Sequence, residues 1–261
     1  MDLRKALGAR HLVITLIRRQ FQVRYRQSFI GVTWALVPPL LTLAVGLILF
    51  RRVLDVDVGE TPYVLFTLSG LIPWTFFTSS LTFGVPSIGN NQALIRRLAF
   101  PRAALPLSAV GISLIDLAVA GGLFVIAAFA FGEGLQLSAL WFPLLLVLET
   151  LFVSGVVLLA SALNAFATDF RLLVPVSTQL LFFVTPVLYP LSVVSERSER
   201  LEELFRLNPM TGFVESFRTI LIFGRSPDLG TLLPSIVGTV VALVLGLWYF
   251  RATESRFADV V

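Results

Sequence analysis

Long apolar runs separated by short polar segments follow one another along the whole chain. A helix needs about 20 mostly apolar residues to cross a bilayer, and six runs meet this requirement. They are residues 30–50, 63–83, 103–131, 139–167, 172–191 and 232–250. The pattern therefore predicts an all-α integral membrane protein, with six transmembrane helices in a single domain over residues 1–261.

The N-terminal segment, residues 1–28, has a different pattern, with apolar residues at helical spacing and basic residues between them. The apolar positions are Leu3, Leu7, Ile14, Ile17 and Phe21. A basic amphipathic helix of this kind lies in the membrane interface. The alternative is a helix packed on a partner subunit, and the pattern favours the interface.

The polar loop at residues 86–102 contains a short run that favours a helix. Polar capping residues precede the run, and Phe100-Pro101 ends it. The helix would have one apolar and one basic face, and it is too short to be stable alone in water. Lipid headgroups or a protein partner would hold it, and both interpretations fit the sequence.

Residues 192–225, before the last apolar run, predict two short amphipathic helices separated by Asn208-Pro209. The second, Met210–Phe223, is too short to cross a bilayer. We therefore expect short re-entrant or interfacial helices at this position.

Composition supports the membrane assignment and suggests an orientation. Hydrophobic residues make up 56% of the chain and charged residues only 14%, against about 25% charged in soluble domains. With both termini in the cytoplasm, most of the 20 basic residues fall on the cytoplasmic side, as the positive-inside rule requires. The sequence thus predicts a multi-pass protein of the cytoplasmic (inner) membrane, and the polar first ten residues do not resemble a cleaved signal peptide.

Several kinds of catalytic site are excluded because the residues that they need are missing. The chain has no cysteine, its one histidine is His11 and its one lysine is Lys5, which lies in no phosphate-binding motif of the GxxxxGK[ST] type. We therefore expect no enzyme activity, no bound metal and no cofactor in this chain. The net charge of +4 is weak evidence for nucleic acid, which is not an expected partner.

Two carboxylates, Asp116 and Glu149, lie deep in apolar runs. Such groups are costly in lipid and by default suggest a functional site. A hydrogen-bonding role between helices is favoured over a proton-driven carrier. An intramembrane enzyme with the two as an acid–base pair is a further hypothesis.

Three stretches resemble a known family. They are residues 24–34 continuing to Pro38-Pro39-Leu40, residues 91–108 with Leu94-Ile95-Arg96-Arg97 and Phe100-Pro101-Arg102, and Leu207-Asn208-Pro209-Met210 followed by Phe217-Arg218. Together they resemble permease subunits of the type-2 ABC exporters, in the branch that exports polysaccharides and polyol phosphates. The order of elements fits this branch over nearly the whole chain.

The resemblance implies a role for each non-spanning segment. Residues 1–28 would be an interface helix, and the 86–102 loop would hold a cytoplasmic coupling helix that docks on a separate nucleotide-binding ATPase. The external gate would be residues 192–225. The residues implied are Asn91, Leu94, Ile95, Arg96 and Arg97 for coupling, and Asn208, Pro209, Phe213 and Phe217 for the gate.

The resemblance also implies an assembly and a substrate. Two copies of the permease would pair with two ATPase subunits, which would hold ATP and Mg. The substrate would be a glycan on a polyprenyl pyrophosphate lipid, of the O-antigen, capsule or teichoic acid type. A permease of the same architecture that moves a small drug or lipid is the alternative.

Candidate substrate contacts can be named within this expectation. Arg24 and Arg26 would attract the pyrophosphate, because arginine suits phosphate geometry, although ordinary attraction to anionic lipid headgroups would use them equally well. Sugar rings stack on aromatic side chains through their apolar faces. The candidate channel aromatics are Trp34, Trp74, Phe76, Phe77, Phe182, Phe183 and Tyr189.

Overall fold

A computed structural model describes residues 13–22, 31–97, 100–134 and 136–257, and every regular element within them is helical. Residues 13–22 form helix α1, the described part of the predicted interface helix. The candidate pyrophosphate residues Arg24 and Arg26 lie outside the described residues. The later helices are α2 (Val37–Gly46), α3 (Tyr63–Gly84), α4 (Gln92–Arg97), α5 (Ala104–Ala130), α6 (Phe142–Phe166), α7 (Phe170–Val184), α8 (Ser192–Ser195), α9 (Glu199–Leu207), α10 (Pro209–Leu221) and α11 (Leu229–Thr253).

Within the described residues, five helical segments are long and apolar enough to cross a membrane. They are Thr33–Val53, Tyr63–Ser87, Ala104–Ala130, Leu137–Phe166 and Leu229–Arg256. The first of them contains α2 with a 3-10 segment before it and a π-helical segment after it. The all-helical membrane fold expected from the apolar runs is therefore confirmed.

Helix α7 differs from the predicted fifth run, because it has only 15 residues and ends well before residue 191. At 1.5 Å per residue it is about 22 Å long. Thr185 is extended, with φ −105° and ψ 126°, because Pro186 disfavours the helical conformation of the residue before it. The chain then continues as an irregular segment, residues 185–191, which we call the α7–α8 connection.

The α7–α8 connection is buried in protein although it is not helical. Thr185, Val187 and Leu188 are at most 4% exposed. Irregular backbone at membrane depth is tolerated where protein or a water-filled cavity satisfies its polar groups. Burial of this connection therefore explains how the chain leaves the helical state here.

Helix α3 lies at the centre of the fold, between α5 and α10, while α6 packs along α11. The main core joins α3, α5, α6 and α10 through large apolar side chains, among them Leu71, Phe152, Phe213 and Phe217. Where α6 and α11 cross, a Cβ atom on Gly155 would lie 2.5 Å from the backbone nitrogen of Leu243. Only glycine allows the two backbones to approach so closely.

A second apolar cluster brings both ends of the described chain together. It contains Leu16 of α1, Ile95 of α4, Leu105 of α5, and Phe250 and Phe257 at the C-terminal end. The predicted interface helix, the loop helix and the end of the last span therefore lie at one end of the molecule. At the other end, Ser138 before α6 donates a hydrogen bond to the carbonyl of Ile220 in α10.

Candidate functional site

An open cavity of about 300 Å³ lies between α2, α3 and α5. Its polar residues come from one face of α3 and from Asp116 of α5, and its apolar residues come mainly from the start of the first span. The lining residues are Trp34, Ala35, Pro38, Pro39, Thr75, Thr78, Ser79, Thr82, Phe83 and Asp116. The volume is at the low end of ligand pockets, which run from roughly 300 to 1,000 Å³.

Four hydroxyl side chains of α3, namely Thr75, Thr78, Ser79 and Thr82, recur at intervals of three and four residues, and we call them the hydroxyl row. The spacing places them on one face of the helix, and the structure leaves this face partly exposed while most of α3 is buried.

The three threonines of the row donate their hydroxyl hydrogens to their own helix. Thr75 donates to the carbonyl of Ile72 at 3.1 Å and Thr78 to that of Trp74 at 3.0 Å. Thr82 donates to the carbonyl of Thr78 at 2.8 Å. Because each hydroxyl has one hydrogen and two lone pairs, these oxygens present acceptor sites to the cavity.

Asp116 borders the cavity but is only 7% exposed. Its Oδ2 accepts a hydrogen bond from the hydroxyl of Ser79, so it links α5 to the hydroxyl row. Glu149, in α6, is fully buried, neither of its carboxylate oxygens has a hydrogen-bond partner, and it does not line the cavity. The two acids predicted as a possible pair therefore do not share this site.

The predicted channel aromatics divide into exposed and core-packed groups. Trp34 lines the cavity and Phe183 lies on α7, and both are more than half exposed. In the core, Trp74 packs on Phe182 with ring centroids 5.3 Å apart, and Phe77 stacks on Phe152.

The remaining two channel aromatics, Phe76 and Tyr189, differ in their surroundings. Phe76 has no exposed surface, so its ring is not available to a ligand in this conformation. Tyr189 stacks on Phe50 of the first span and donates a hydrogen bond to the carbonyl of Phe183. The sequence did not separate these positions, because Trp74, Phe76 and Phe77 lie within one turn of the same apolar helix.

Helix α4 presents the residues expected to couple the chain to an ATPase. Ile95 is buried in the second apolar cluster, while Arg96 and Arg97 are exposed. Asn91, just before the helix, donates a hydrogen bond to the carbonyl of Ser87 at 2.8 Å. Leu94 and Arg97 line an open groove of about 370 Å³ that they share with Arg19 of α1. The helix therefore has an anchored apolar side and an exposed basic side.

The residues expected at the gate lie at the start and along the buried face of α10. Asn208 caps the helix through its Oδ1, which accepts from the backbone nitrogen of Met210 at 3.0 Å, and its Nδ2 donates to the hydroxyl of Thr185. Pro209 follows, and Phe213 and Phe217 are fully buried. Helix α10 is therefore part of the core, not a surface helix.

Arg218 of α10 is fully buried and has a role that the sequence patterns did not indicate. Its Nη2 donates to the carbonyls of Pro186 and Val187 at 2.9 and 3.2 Å, and its Nη1 forms an ion pair with Glu215. The guanidinium lies 3.7 Å from the centroid of the Phe66 ring of α3. An arginine in a short apolar helix is itself a signal of such a role.

Arg218 thus connects three elements, because it holds the α7–α8 connection against both α10 and α3. Tyr63 of α3 adds a hydrogen bond to the carbonyl of Leu188 at 2.7 Å. Gly70 leaves room for this arrangement, since a Cβ there would lie 3.1 Å from Nη2 of Arg218. We call Arg218, Tyr63 and the carbonyls that they bind the arginine clamp.

Among the described residues, no three His, Cys, Asp or Glu side chains are grouped so that they could hold a metal ion.

Comparison of the sequence with known proteins shows which proteins this chain is similar to. Residues 11–222 match the family model described as ABC-2 type transporter. The chain is 30% identical over 250 residues to the O-antigen export system permease protein RfbA of Myxococcus xanthus, which covers 96% of this chain and 95% of that protein. It is 28% identical over 251 residues to RfbA of Klebsiella pneumoniae, with the same coverage. It is 25% identical over 253 residues to the polysialic acid transport protein KpsM of Escherichia coli, covering 93% of each chain.

Proposed function

The chain belongs to the ABC-2 type transporter family, and from this membership we propose that it is the permease of an ATP-driven polysaccharide exporter. The substrate in this proposal is a glycan carried on a polyprenyl pyrophosphate lipid, which moves across the cytoplasmic membrane. The names of its relatives, O-antigen export permease and polysialic acid transport protein, support a glycan substrate. The structural observation that carries the proposal is the polar cavity between apolar spans.

The cavity supports passage of a polar chain because it gives a membrane-embedded surface that is not hydrocarbon-like. Thr82 is exposed, and Thr75, Thr78 and Ser79 are partly exposed. Trp34, which also lines the cavity, offers an aromatic face on which a sugar ring could stack. A small apolar drug has no polar groups that would form hydrogen bonds with these hydroxyl side chains.

The ATPase of such an exporter is a separate subunit, and α4 is the proposed docking element. Its buried Ile95 ties it to α1, α5 and α11 through the second apolar cluster, so force applied to α4 reaches the spans. Its exposed Arg96 and Arg97 provide charge for a protein partner. Two copies of the chain with two ATPase subunits would form the working assembly, with ATP and Mg on the ATPase.

Basic residues favour placing α4 on the cytoplasmic side. The end of the molecule that holds the second apolar cluster also holds Arg19, Arg97 and Arg251. Arg102 donates its backbone N–H to the carboxylate of Glu254 at 2.9 Å, which ties the start of α5 to the end of α11. By the positive-inside rule, this end and both termini would face the cytoplasm. Arg24 and Arg26, which lie outside the described residues, remain the proposed pyrophosphate residues.

Deletion of the gene tests the proposal. Lipid-linked glycan should accumulate at the inner leaflet while surface glycan disappears, and the wild-type chain should restore both. Unchanged glycan with a new drug sensitivity would contradict the proposal and favour the alternative substrate class.

Charge reversal at α4 tests the docking role. Arg96→Glu with Arg97→Glu should reduce glycan-stimulated ATP hydrolysis by about tenfold, which corresponds to about 1.4 kcal/mol, with a normal amount of chain in the membrane. The matched control is Arg51→Glu with Arg52→Glu, an adjacent and exposed arginine pair at the end of the first span. Equal losses in both variants would contradict docking through α4.

A further inference from the structure

We propose that the hydroxyl row of α3, together with Asp116, is a contact site for the hydroxyl groups of a polysaccharide chain. The inference rests on the proposed export function and specifies the surface on which the glycan moves. It concerns side chains of Thr75, Thr78, Ser79 and Thr82, none of which is among the aromatic candidates named from the sequence.

The exposed face of α3 carries four hydroxyl side chains beside Phe83, whereas a lipid-facing helix exposes mainly apolar side chains. Helix α11 shows the lipid pattern, because its exposed positions include Val237, Val241 and Leu245. Lipid is therefore a poor solvent for the hydroxyl row. A hydrated cavity that holds a polar chain would solvate the hydroxyl row better.

The row is also unlike the close-packed seams that this chain builds elsewhere. At the α6–α11 crossing, the backbones approach through Gly155 and Gly246. The hydroxyl row instead opens onto about 300 Å³ of cavity, with Trp34 and Phe83 exposed at its edges. This is space that a neighbouring helix has not filled within the chain.

Chemical complementarity identifies the ligand class. The threonine hydroxyls of the row donate inward to their own helix, so they offer acceptors outward, and sugar hydroxyls are donors that match them. Each contact is weak, which suits a chain that must slide, since a net hydrogen bond contributes only modestly.

Removal of two hydroxyls at constant shape tests the site. Thr78→Val with Thr82→Val should slow the appearance of surface glycan by about tenfold, equivalent to about 1.4 kcal/mol, without lowering the amount of chain in the membrane. The matched control is Thr150→Val in α6, because Thr150 is also partly buried and donates to its own helix, at the carbonyl of Leu146, but lies outside the cavity.

The outcomes separate this inference from the export function. If the wild-type chain restores surface glycan and the double variant behaves like Thr150→Val, the hydroxyl row has no role and the inference is wrong. If the wild-type chain does not restore surface glycan at all, the export function itself is wrong.

Cysteine labelling gives a second test that does not depend on transport rate. The chain has no native cysteine, so Thr78→Cys and Thr82→Cys each introduce a single thiol. A membrane-impermeant methanethiosulfonate reagent should label both thiols in inverted vesicles. Labelling should be slower in vesicles from cells that make the glycan than in vesicles from cells blocked in glycan synthesis. Val240→Cys and Val244→Cys, on the exposed face of α11, should stay unlabelled.

Two results of the labelling would overturn the inference. One is failure of both α3 positions to label, which would place the row in lipid or in a dry interface. The other is spontaneous disulfide formation between copies at Thr78→Cys, which would make the row a seam of the dimer.

Discussion

Helices α3 and α11 are both long enough to span the membrane, yet they are solvated in opposite ways. In the most apolar part of α3, 78% of the residues are buried in protein, against 22% in α11. The mean hydropathy of the most apolar part is 1.4 for α3 and 2.1 for α11. The less apolar helix is the more deeply buried one, the reverse of the usual pattern in soluble proteins.

Apolar residues stabilise the two helices in different ways. Residues of α11 such as Val240 and Val244 face outward, where hydrocarbon is their solvent, and no protein contact is needed. Residues of α3 such as Leu71 and Phe76 are fixed by neighbours, so packing and hydrogen bonds decide their stability. The uncovered part of α3 consists mainly of the hydroxyl row, with Phe83 beside it.

The largest effect is expected where the burial of α3 depends on the arginine clamp. Arg218→Met should lower the free energy of unfolding by about 3 kcal/mol, because it leaves the buried carbonyls of Pro186 and Val187 without their donor and removes the buried partner of a part-exposed ion pair with Glu215. Detergent-induced unfolding, followed by circular dichroism, would measure the loss.

The control for the clamp is Arg206→Met, which removes the partly exposed ion pair of α9 between Arg206 and Glu202, together with an exposed hydrogen bond to the hydroxyl of Thr231. Such pairs contribute about 0–1 kcal/mol. If Arg218→Met is no worse than this control, the clamp does not hold α3, α10 and the α7–α8 connection together.

A charge placed on each exposed face compares the two solvents directly. Val241→Lys, at the middle of α11, should cost about 2.5–3.5 kcal/mol of membrane insertion, because Val241 is half exposed on an apolar face. Thr78→Lys should cost less, because it enters the polar cavity that Asp116 borders. The measurement is the fraction of chain recovered from the membrane, and equal losses would mean that hydrocarbon contacts both faces.

Much of this comparison could be anticipated from the sequence, but its main point could not. Hydropathy located the five spans to within about six residues at each end, because bilayer thickness imposes their length. It did not indicate which span is central, because both α3 and α11 are apolar enough to span the membrane and hydropathy alone does not say what surrounds a helix. Thr75 and Thr78 lie at helical spacing in the sequence, but the predicted channel residues were the aromatic side chains beside them.

The clamp and the end of α7 show a different limit. Arg218 binds carbonyls more than 30 residues away in the chain, and backbone acceptors leave no sequence signal. Pro186 was visible inside the predicted fifth run, but prolines are tolerated in spans, so the run was extended to residue 191. The irregular backbone that follows Thr185 is tolerated because protein buries the α7–α8 connection, and this burial is a tertiary property.

Glycine substitution tests the protein-packed side of α11. Gly246→Ala should lower the free energy of unfolding by about 1–3 kcal/mol by overpacking, because the added Cβ would lie within 3.0 Å of the carbonyl carbon of Gly155. The matched control is Gly122→Ala in α5, where a Cβ meets nothing within 4 Å and alanine favours the helix. Similar stability of the two variants would mean that the α6–α11 crossing is looser than the structure has it.

The smallest effect is expected at the start of α11, which has a side-chain cap that α3 lacks. Asp228 accepts hydrogen bonds from the hydroxyl and the backbone nitrogen of Thr231, both at 2.8 Å. These bonds hold the pKa of Asp228 below its ordinary value of 3.8. Asp228→Ala should cost about 0.5–1 kcal/mol near neutral pH, the low end for an N-cap, because water screens this exposed carboxylate.

The pH dependence follows from the direction of that pKa shift. Because the folded-state pKa is lowered, the stabilisation is complete above pH 3.8 and is lost as the pH falls through the folded value. The wild type and Asp228→Ala should therefore converge in acid, while Asp169→Ala should change little at any pH, since Asp169 precedes α7 without a side-chain cap bond. A difference between the wild type and Asp228→Ala that persists unchanged at pH 3 would show that the carboxylate charge is not what stabilises the start of α11.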